Sequence, residues 1–170
     1  NEKSSYNMIN FALISNKRTG STFLQESIDS HPDIRCCDEM FLIRAKDITE
    51  RNGIKIYRYF HTKQKPYPIK KYLEWITQFH NNIGIRIVYP QLDYWKELSD
   101  CLILEEVPVI HLMRENYFEQ AMSWFTKKSP DKKEKIHIDP IQLENRILKI
   151  QKDTEYYRRL YRNNRKYMEI

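Results

Sequence analysis

Glycine, cysteine and long apolar runs are scarce in this sequence, and each scarcity argues against a class of protein. Only three of the 170 residues are glycine, and they stand far apart, so the Walker A nucleotide loop, G-x-x-x-x-G-K-[ST], is absent. The three cysteines are odd in number and lack C-x-x-C spacing, which argues against a zinc site or disulfide framework and favours a reduced, cytoplasmic compartment. No run of about 18 apolar residues occurs, so no membrane-spanning helix is predicted.

Apolar and charged residues are both abundant. Apolar residues make up 41% of the chain and aromatic residues 13%, which favours a folded domain with a core over disorder. The length of 170 residues fits one domain. The net charge of +6, from 29 basic and 23 acidic residues, favours an anionic ligand such as a nucleotide or another polyanion.

The most informative stretch joins a short apolar run, residues 10–15, to a polar turn, residues 16–22. The run is typical of a buried strand, and a helical pattern follows the turn. Backbone N–H groups at such a turn and the positive end of the helix both attract an anion. Lys17 and Arg18 add full charges, and Gly20 lets the backbone approach a ligand closely. The face predicted for the helix carries Phe23, Leu24, Ser27 and Ile28.

This turn resembles the 5′-phosphosulfate loop of sulfotransferases that use 3′-phosphoadenosine 5′-phosphosulfate (PAPS). In that family a basic residue, a small residue, a glycine and two hydroxyl residues follow the first strand. The resemblance implies that the 5′-phosphosulfate is held by Lys17, Arg18, Thr19, Gly20, Ser21 and Thr22. It also implies that Arg18 stabilises the bridging oxygen as adenosine 3′,5′-bisphosphate leaves. The alternative is an ordinary strand–helix turn with solvated cations.

A candidate catalytic base follows the first predicted helix. His31-Pro32 ends that helix, and Glu39 comes next, followed by a large apolar residue. Bacterial sulfotransferases that modify carbohydrates, glycolipids and nodulation factors carry a similar order of residues. The resemblance implies that Glu39 takes the proton of the acceptor hydroxyl. The alternative is an ordinary solvated carboxylate.

A β-branched run, Gly84–Tyr89, predicts a further strand that contains an arginine. Inside a buried strand Arg86 would need an anionic partner, whereas at a sheet edge it would reach solvent. The family often has Gly-x-Lys here and then a glutamine. Arg86 and Gln91 stand at the matching positions and are candidates for substrate binding.

A second strand–turn–helix pattern lies near the middle of the chain. Arg114 directly follows the predicted strand 109–113, and the predicted helix 117–127 carries Ser123. The resemblance implies that these two side chains clamp the 3′-phosphate of PAPS, for which an arginine offers a bidentate fork. The alternatives are an arginine in a surface ion pair and a helical serine without function.

Two basic segments have less specific patterns. Residues 42–80 mix cations with tyrosines and are predicted to be an insertion that shapes the acceptor site, with a helix near residues 72–79. Residues 127–139 are predicted to be a lysine-rich surface loop. Asp139 and Pro140 then predict the start of a long amphipathic helix. Its predicted apolar face carries Ile141, Leu143, Ile147, Ile150, Tyr157, Leu160 and Tyr161.

These patterns together predict one domain over 1–170 with an α/β, P-loop-like three-layer fold, in which a central, mainly parallel sheet is flanked by helices. The predicted function is metal-free sulfuryl transfer from PAPS to a hydroxyl or amine of a carbohydrate, glycolipid or small molecule, without a nucleic-acid partner. Family members usually run longer, so the chain is expected to be a compact member or a fragment. The alternatives are a P-loop-related nucleotide kinase and a non-enzymatic module that binds polyanions or nucleic acid.

Overall fold

The computed structural model describes residues 8–41, 48–51, 54–57, 68–126 and 137–170. The strands and helices follow one another in an order that alternates between the two types through most of the chain. In chain order they are β1 (Phe11–Ser15), α1 (Ser21–Asp29), β2 (Arg35–Cys37), β3 (Ile48–Arg51), β4 (Ile54–Tyr57), α2 (Ile69–Ile76), β5 (Ile83–Val88), α3 (Tyr89–Tyr94), α4 (Lys96–Leu104), β6 (Val109–Leu112), α5 (Tyr117–Thr126), α6 (Pro140–Tyr161) and β7 (Tyr167–Glu169).

Five strands form one sheet in the order β2-β5-β1-β6-β7, and every neighbouring pair is parallel. Helices flank this sheet, so the prediction of a three-layer α/β fold with a central parallel sheet is confirmed. The interior strand β5 is buried along its whole length, as expected for a parallel strand covered on both faces. β3 and β4 form a separate antiparallel hairpin that was not predicted.

The order of the strands brings the two predicted turns together. From β1 the chain passes through α1 to β2, which lies on one side of β1, whereas β6 lies on the other side and leads on to β7. A parallel sheet leaves a crevice outside the carboxyl ends of its strands where the direction of the connections reverses. The turns that follow β1 and β6 therefore meet at the same edge.

The last predicted residue of one strand belongs to a helix. The expected strand Gly84–Tyr89 runs instead from Ile83 to Val88, and Tyr89 begins α3. Pro90 has no N–H with which to continue a ladder, and the Gln91 side chain accepts a hydrogen bond of 3.1 Å from the N–H of Val88. The chain therefore turns away from the sheet at its carboxyl edge, where the candidate residues lie.

The buried face of α1 is polar, and the predicted apolar face was wrong. Ser21, Gln25 and Asp29 are buried, whereas Phe23 is 77% exposed. The reason lies in β2, an edge strand whose backbone α1 satisfies. Gln25 Nε2 donates to the Cys36 carbonyl over 2.5 Å, and an Asp29 oxygen accepts from the Cys36 N–H over 2.8 Å.

The long helix α6 begins where the sequence predicts. Asp139 caps it by accepting a hydrogen bond of 3.0 Å from the Ile141 N–H, and Pro140 is the first helical residue. Ile150, Tyr157 and Tyr161 of the predicted face are buried, but Ile141 is largely exposed.

Parts of the two basic segments can also be compared with their predictions. The helix predicted near residues 72–79 is present as α2 and a 3₁₀ turn, Thr77–Phe79. The loop predicted over 127–139 lies outside the described residues except for 137–139. Much of the predicted insertion over 42–80 also lies outside them. Among the described helices, none combines the length and the apolar character that crossing a bilayer requires.

Candidate functional site

A cavity of about 570 Å³ opens at the carboxyl edge of the sheet. It receives side chains from the turn after β1, the turn after β6 and the segment after β2, together with the end of β5. Every candidate residue of the sequence lines it except Thr19 and Gln91. The lining residues are Lys17, Arg18, Gly20, Ser21, Thr22, Phe23, Glu39, Arg86, Val88, Arg114 and Ser123.

The turn after β1 has a backbone that only a few residue types adopt readily. Arg18 has a φ of 67° and Gly20 a φ of 93°, both in the left-handed region. A Cβ on Gly20 would meet nothing within 4 Å, so the conformation and not the space calls for glycine here. Gly20 precedes α1, and among the described residues no side chain caps that helix. The first-turn N–H groups, which belong to cavity-lining residues, therefore remain suited to an anion.

Helix α5 holds this turn in place. The buried Gln120 side chain donates to the Lys17 carbonyl over 2.8 Å, and Arg18 Nε donates to the Ser123 hydroxyl over 2.8 Å. Arg114 Nη1 also donates to the Arg18 carbonyl over 3.4 Å. The two strand–turn–helix patterns are thus joined into one site by direct hydrogen bonds.

Thr19 shapes the turn from within. Its hydroxyl donates to the Asn16 carbonyl over 3.0 Å, and the Asn16 side-chain oxygen accepts from the Lys17 N–H over 2.7 Å. Thr19 is not among the residues that line the cavity, and its hydroxyl supports the conformation of the turn.

The predicted clamp, Arg114 and Ser123, lies on the β6 side of the cavity. Arg114 also forms an ion pair of 2.6 Å with Glu119, which is more than half exposed. Such a pair contributes little to stability, and it leaves other guanidinium N–H groups for a ligand. The Ser123 hydroxyl accepts from Arg18, so its own proton is available to an acceptor in the cavity.

Arg86 is buried on an interior strand, which excludes the predicted alternative of an edge arginine in solvent. Its guanidinium pairs with the carboxylates of Asp38 and Glu39, and the Glu39 Oε1–Nη2 distance is 2.9 Å. Nη1 donates to the hydroxyls of Ser21 and Thr22, each over 3.1 Å. The expectation that a buried Arg86 needs an anionic partner is therefore met by two carboxylates.

Glu39 lies at the cavity wall with both carboxylate oxygens oriented. One oxygen contacts Arg86, and the other accepts from Gln91 Nε2 over 3.4 Å. The side chain is 17% exposed, so one side of it remains open to the cavity. Gln91 is buried behind Glu39 and does not line the cavity, so its contact is with the carboxylate.

The electrostatics of the cavity favour an anionic ligand. Lys17, Arg18, Arg86 and Arg114 line it, against the single carboxylate of Glu39. Lys17 Nζ lies 5.7 Å from the centroid of the Trp124 ring, a cation–π distance that holds the ammonium group beside α5. Fixed cations around a concave surface raise the local concentration of anions.

Three residues of the site escaped the sequence analysis: Asn16, Asp38 and Gln120. Asp38 precedes Glu39 and shares its arginine, and this adjacency of two carboxylates was the only local signal for it. Gln120 stands three residues before Ser123 on α5, but nothing in that segment indicates that it reaches the Lys17 carbonyl. The amide nitrogen of Asn16 is buried and has no hydrogen-bond partner among the described residues.

The two adjacent cysteines of β2 are unsuited to nucleophilic chemistry. Burial raises the pKa of Cys36 and of Cys37 to about 12, so neither thiol is a nucleophile near neutral pH. Among the described residues there is no group of three or more His, Cys, Asp or Glu side chains that could hold a metal ion.

In comparisons with known proteins, no family model matches the chain, and no curated protein sequence shows a significant match.

Proposed function

We propose that this protein binds PAPS and catalyses transfer of its sulfuryl group to a hydroxyl or amine of a carbohydrate, glycolipid or small molecule. The main support is the cavity that brings the turn after β1, the Arg114–Ser123 pair and Glu39 to one edge of the sheet. Each of these parts meets a separate need of the reaction, namely a 5′-phosphosulfate site, a 3′-phosphate site and a base.

The 5′-phosphosulfate site would be formed by Lys17, Arg18 and the first-turn N–H groups of α1. PAPS supplies the sulfuryl group, and adenosine 3′,5′-bisphosphate is the leaving group. Lys17 and Arg18 stabilise the negative charge that develops on the leaving oxygen. Removing one preorganised donor of this kind commonly costs about 3–4 kcal/mol of transition-state stabilisation.

Glu39 acts as the base in this proposal. Arg86 and Gln91 orient its carboxylate, and the remaining side faces the cavity, where it takes the proton of the acceptor hydroxyl. General base catalysis typically contributes about 10²–10⁴-fold to the rate. The variant Glu39→Gln, which keeps the shape of the side chain, should therefore lower the transfer rate by that factor and leave the affinity for adenosine 3′,5′-bisphosphate nearly unchanged.

Arg114 and Ser123 would recognise the 3′-phosphate. Arg114 offers a charged fork, and the Ser123 hydroxyl adds one directional donor. A ligand without the 3′-phosphate would leave both groups without their anion, so discrimination between PAPS and adenosine 5′-phosphosulfate would depend on this pair.

The kinase alternative has less support from the site. A nucleotide kinase needs carboxylate or hydroxyl oxygens free to coordinate Mg²⁺ around the phosphates. Here the Arg86 guanidinium contacts the carboxylates of Asp38 and Glu39 and the hydroxyls of Ser21 and Thr22, and its positive charge disfavours a Mg²⁺ ion at the same oxygens.

Isothermal titration of the full chain with adenosine 3′,5′-bisphosphate, AMP and ATP–Mg²⁺ tests the proposal. We expect binding of the bisphosphate that persists in EDTA and exceeds AMP binding at least tenfold. Arg114→Ala should remove this preference, whereas Arg159→Ala, at an exposed position of α6, serves as the matched control.

Other outcomes of the titration point elsewhere. A preference for ATP–Mg²⁺ would move the chain to the kinase alternative. Binding of polyanions with a steep salt dependence and no nucleotide preference would favour a binding module. An intact preference in Arg114→Ala would overturn the 3′-phosphate assignment alone.

A further inference from the structure

We infer that Arg86 is a positioning residue, which fixes both the candidate base Glu39 and the hydroxyl donors of the anion-binding turn, and that Asp38 balances its charge. The inference rests on the proposed function, because it assigns a role in the same reaction. It differs from the substrate contact that the sequence pattern suggested for Arg86, since the guanidinium is occupied by groups of the protein itself.

All three nitrogens of the Arg86 guanidinium have partners. Nε donates to Asp38 Oδ1 over 3.0 Å, and Nη2 contacts both Asp38 and Glu39. Nη1 donates to the hydroxyls of Ser21 and Thr22. The side chain is 7% exposed, so these contacts are made away from water, where their strength and geometry count most.

The contacts with the two hydroxyls decide what those hydroxyls can do. A hydroxyl has one proton and two lone pairs, and Ser21 and Thr22 each use a lone pair to accept from Arg86. Their protons are consequently free to be donated. Since both residues line the cavity, Arg86 prepares them as donors to an anion bound there.

The contact with Glu39 decides where the base points. Arg86 holds one carboxylate oxygen at 2.9 Å, and Gln91 approaches the other, so the carboxylate plane is fixed at two points. Rotation of the carboxylate away from the acceptor would break both contacts. A base held in one geometry avoids the loss of rate that misplacement of about 1 Å brings.

Asp38 is a second carboxylate on the guanidinium that contacts Glu39. A guanidinium that faced Glu39 alone would favour its ionised form and weaken it as a base. Here Asp38 shares the same guanidinium, so one positive charge serves two carboxylates. The other charged groups that face Glu39 across the cavity are Lys17, Arg18 and Arg114.

Lysine cannot replace arginine in this arrangement. An ammonium group has its three donors on one nitrogen, whereas the guanidinium spreads its donors over three nitrogens in a plane. Arg86→Lys therefore keeps the positive charge but cannot reach Asp38, Glu39 and the hydroxyls together. The conservative variant separates the effect of geometry from that of charge.

Arg35 is a matched control for Arg86. It is a buried arginine on the neighbouring strand β2 and pairs with Asp29 at 3.2 Å. Neither residue of this pair lines the cavity. Arg35→Lys should therefore lower stability without changing how the rate of the reaction depends on pH.

The test measures cleavage of ³⁵S-labelled PAPS with water as the acceptor, as a function of pH, in wild type, Arg86→Lys, Asp38→Asn and Arg35→Lys. In this reaction a water oxygen bonds to sulfur, its proton passes to Glu39, and the sulfur–oxygen bond to the phosphate breaks, giving sulfate and adenosine 3′,5′-bisphosphate. Affinity for the bisphosphate is measured in parallel by titration.

We expect the acidic limb of the rate–pH profile to move in opposite directions in the two site variants. In Asp38→Asn the limb moves to lower pH, because Glu39 then has the guanidinium to itself. In Arg86→Lys it moves to higher pH, and the plateau rate falls about 10–100-fold, which is less than the about 10²–10⁴-fold contributed by a general base as a whole, because Glu39 is misplaced but still present. In a Glu39→Gln background Arg86→Lys should lower the rate by a smaller factor than in wild type, because the part of its effect that depends on Glu39 is already lost and only the part that depends on Ser21 and Thr22 remains.

The outcomes separate this inference from the proposed function. A wild-type chain that neither binds the bisphosphate nor cleaves PAPS overturns both. A wild-type chain that does both, combined with an unmoved acidic limb in Arg86→Lys and Asp38→Asn, overturns the positioning role alone. If Arg86→Lys fails to fold, Asp38→Asn still decides, because Asp38 is 40% exposed at the side chain and its amide variant keeps the same shape.

Discussion

Two buried arginines on neighbouring strands of the sheet differ in almost everything except residue type and burial. Arg35 begins β2 at the amino edge of the sheet, is 4% exposed, and pairs with the single carboxylate of Asp29. Arg86 lies toward the carboxyl edge of β5, is 6% exposed, and contacts two carboxylates and two hydroxyls.

The difference shows that burial of an ion pair does not by itself indicate whether the pair serves the fold or a ligand site. The Arg35–Asp29 pair ties the end of α1 to the edge strand β2, since Asp29 also accepts from the Cys36 N–H. Its partners are all structural. Three partners of Arg86, namely Glu39, Ser21 and Thr22, line a cavity, so the same kind of pair there controls groups that can meet a ligand. Position relative to the carboxyl edge separates the two roles.

The largest expected effect comes from removing Arg35. Arg35→Met leaves the Asp29 carboxylate buried without its countercharge, which should lower the free energy of unfolding by about 3–5 kcal/mol. Urea unfolding measures this loss, and the double variant Arg35→Met/Asp29→Asn should recover part of it. Affinity for adenosine 3′,5′-bisphosphate should stay within twofold of wild type. A tenfold loss of affinity at a temperature where the variant is folded would erase the distinction between the two arginines.

A buried histidine extends the comparison to pH. His111 is fully buried on β6, and its ring nitrogens meet the hydroxyls of Tyr89 and Tyr167, the latter at 2.6 Å. Desolvation by burial lowers the pKa of His111 from 6.5 to about 4, against the opposing charge of Glu169 and with a smaller contribution from Arg158. Between these two pH values the unfolded chain binds the extra proton and the folded chain does not.

The free energy of unfolding should therefore fall as the pH decreases from about 6.5 to about 4. At 1.36 kcal/mol per pH unit, His111 contributes about 3 kcal/mol to this fall. Urea unfolding of wild type and His111→Gln across this range measures it, and the variant should lack this component. Equal pH dependence in the two proteins would contradict the assignment to His111. Since His111 does not line the cavity, the preference for the bisphosphate over AMP should not depend on it.

Gln120 is an intermediate case, because it is buried and yet supports the site. Gln120→Leu removes the donor to the Lys17 carbonyl and leaves a partly buried acceptor unsatisfied, a loss of about 1–3 kcal/mol in stability. The turn after β1 should also become less ordered, so affinity for the bisphosphate should fall about tenfold. Gln120→Glu is not a suitable control because it adds a charge. Gln25→Leu is a suitable control, because Gln25 also donates to a backbone carbonyl, which lies on β2 and away from the turn. Equal affinity in the two variants would show that α5 does not organise the turn.

The smallest expected effect is at the cap of α6, far from both arginines in the chain. Asp139→Ala removes the acceptor for the Ile141 N–H and should lower stability by about 1 kcal/mol. Asp139→Ser retains a capping oxygen and should restore most of the loss in thermal unfolding. A change in bisphosphate affinity in either variant would mean that the start of α6 is coupled to the cavity.

Short-range patterns in the sequence predicted the strands, turns and helices of the site better than they predicted the contacts between them. The apolar run before Lys17 and the run before Arg114 are both strands, and a polar turn and a helix follow each of them. These assignments depend on neighbours within a few residues, which the sequence displays directly. The hairpin β3–β4 was missed, although Asn52-Gly53 lies between its strands and such a pair is a strong hairpin signal.

Partners that are distant in the chain could not be predicted in the same way. The sequence required an anion for a buried Arg86 but did not say that Asp38 and Glu39 would supply it from the segment after the neighbouring strand β2. The polar face of α1 was likewise misjudged, because hydrophobic spacing cannot reveal that Gln25 and Asp29 meet the backbone of an edge strand.

By itself the sequence determined the strand–turn–helix units, the position of a glycine in the turn before α1, the cap of α6 and the basic character of the turn. Each of these depends on local backbone preference and on periodicity over a few residues. Only the tertiary structure decided that β7 joins the sheet beside β6, that the turns after β1 and β6 share one cavity, and that one buried arginine holds the candidate base while another holds an edge strand. Those outcomes depend on strand order and on pairings between residues far apart in the chain, because the hydrogen bonds and ion pairs involved form only when the parallel sheet assembles.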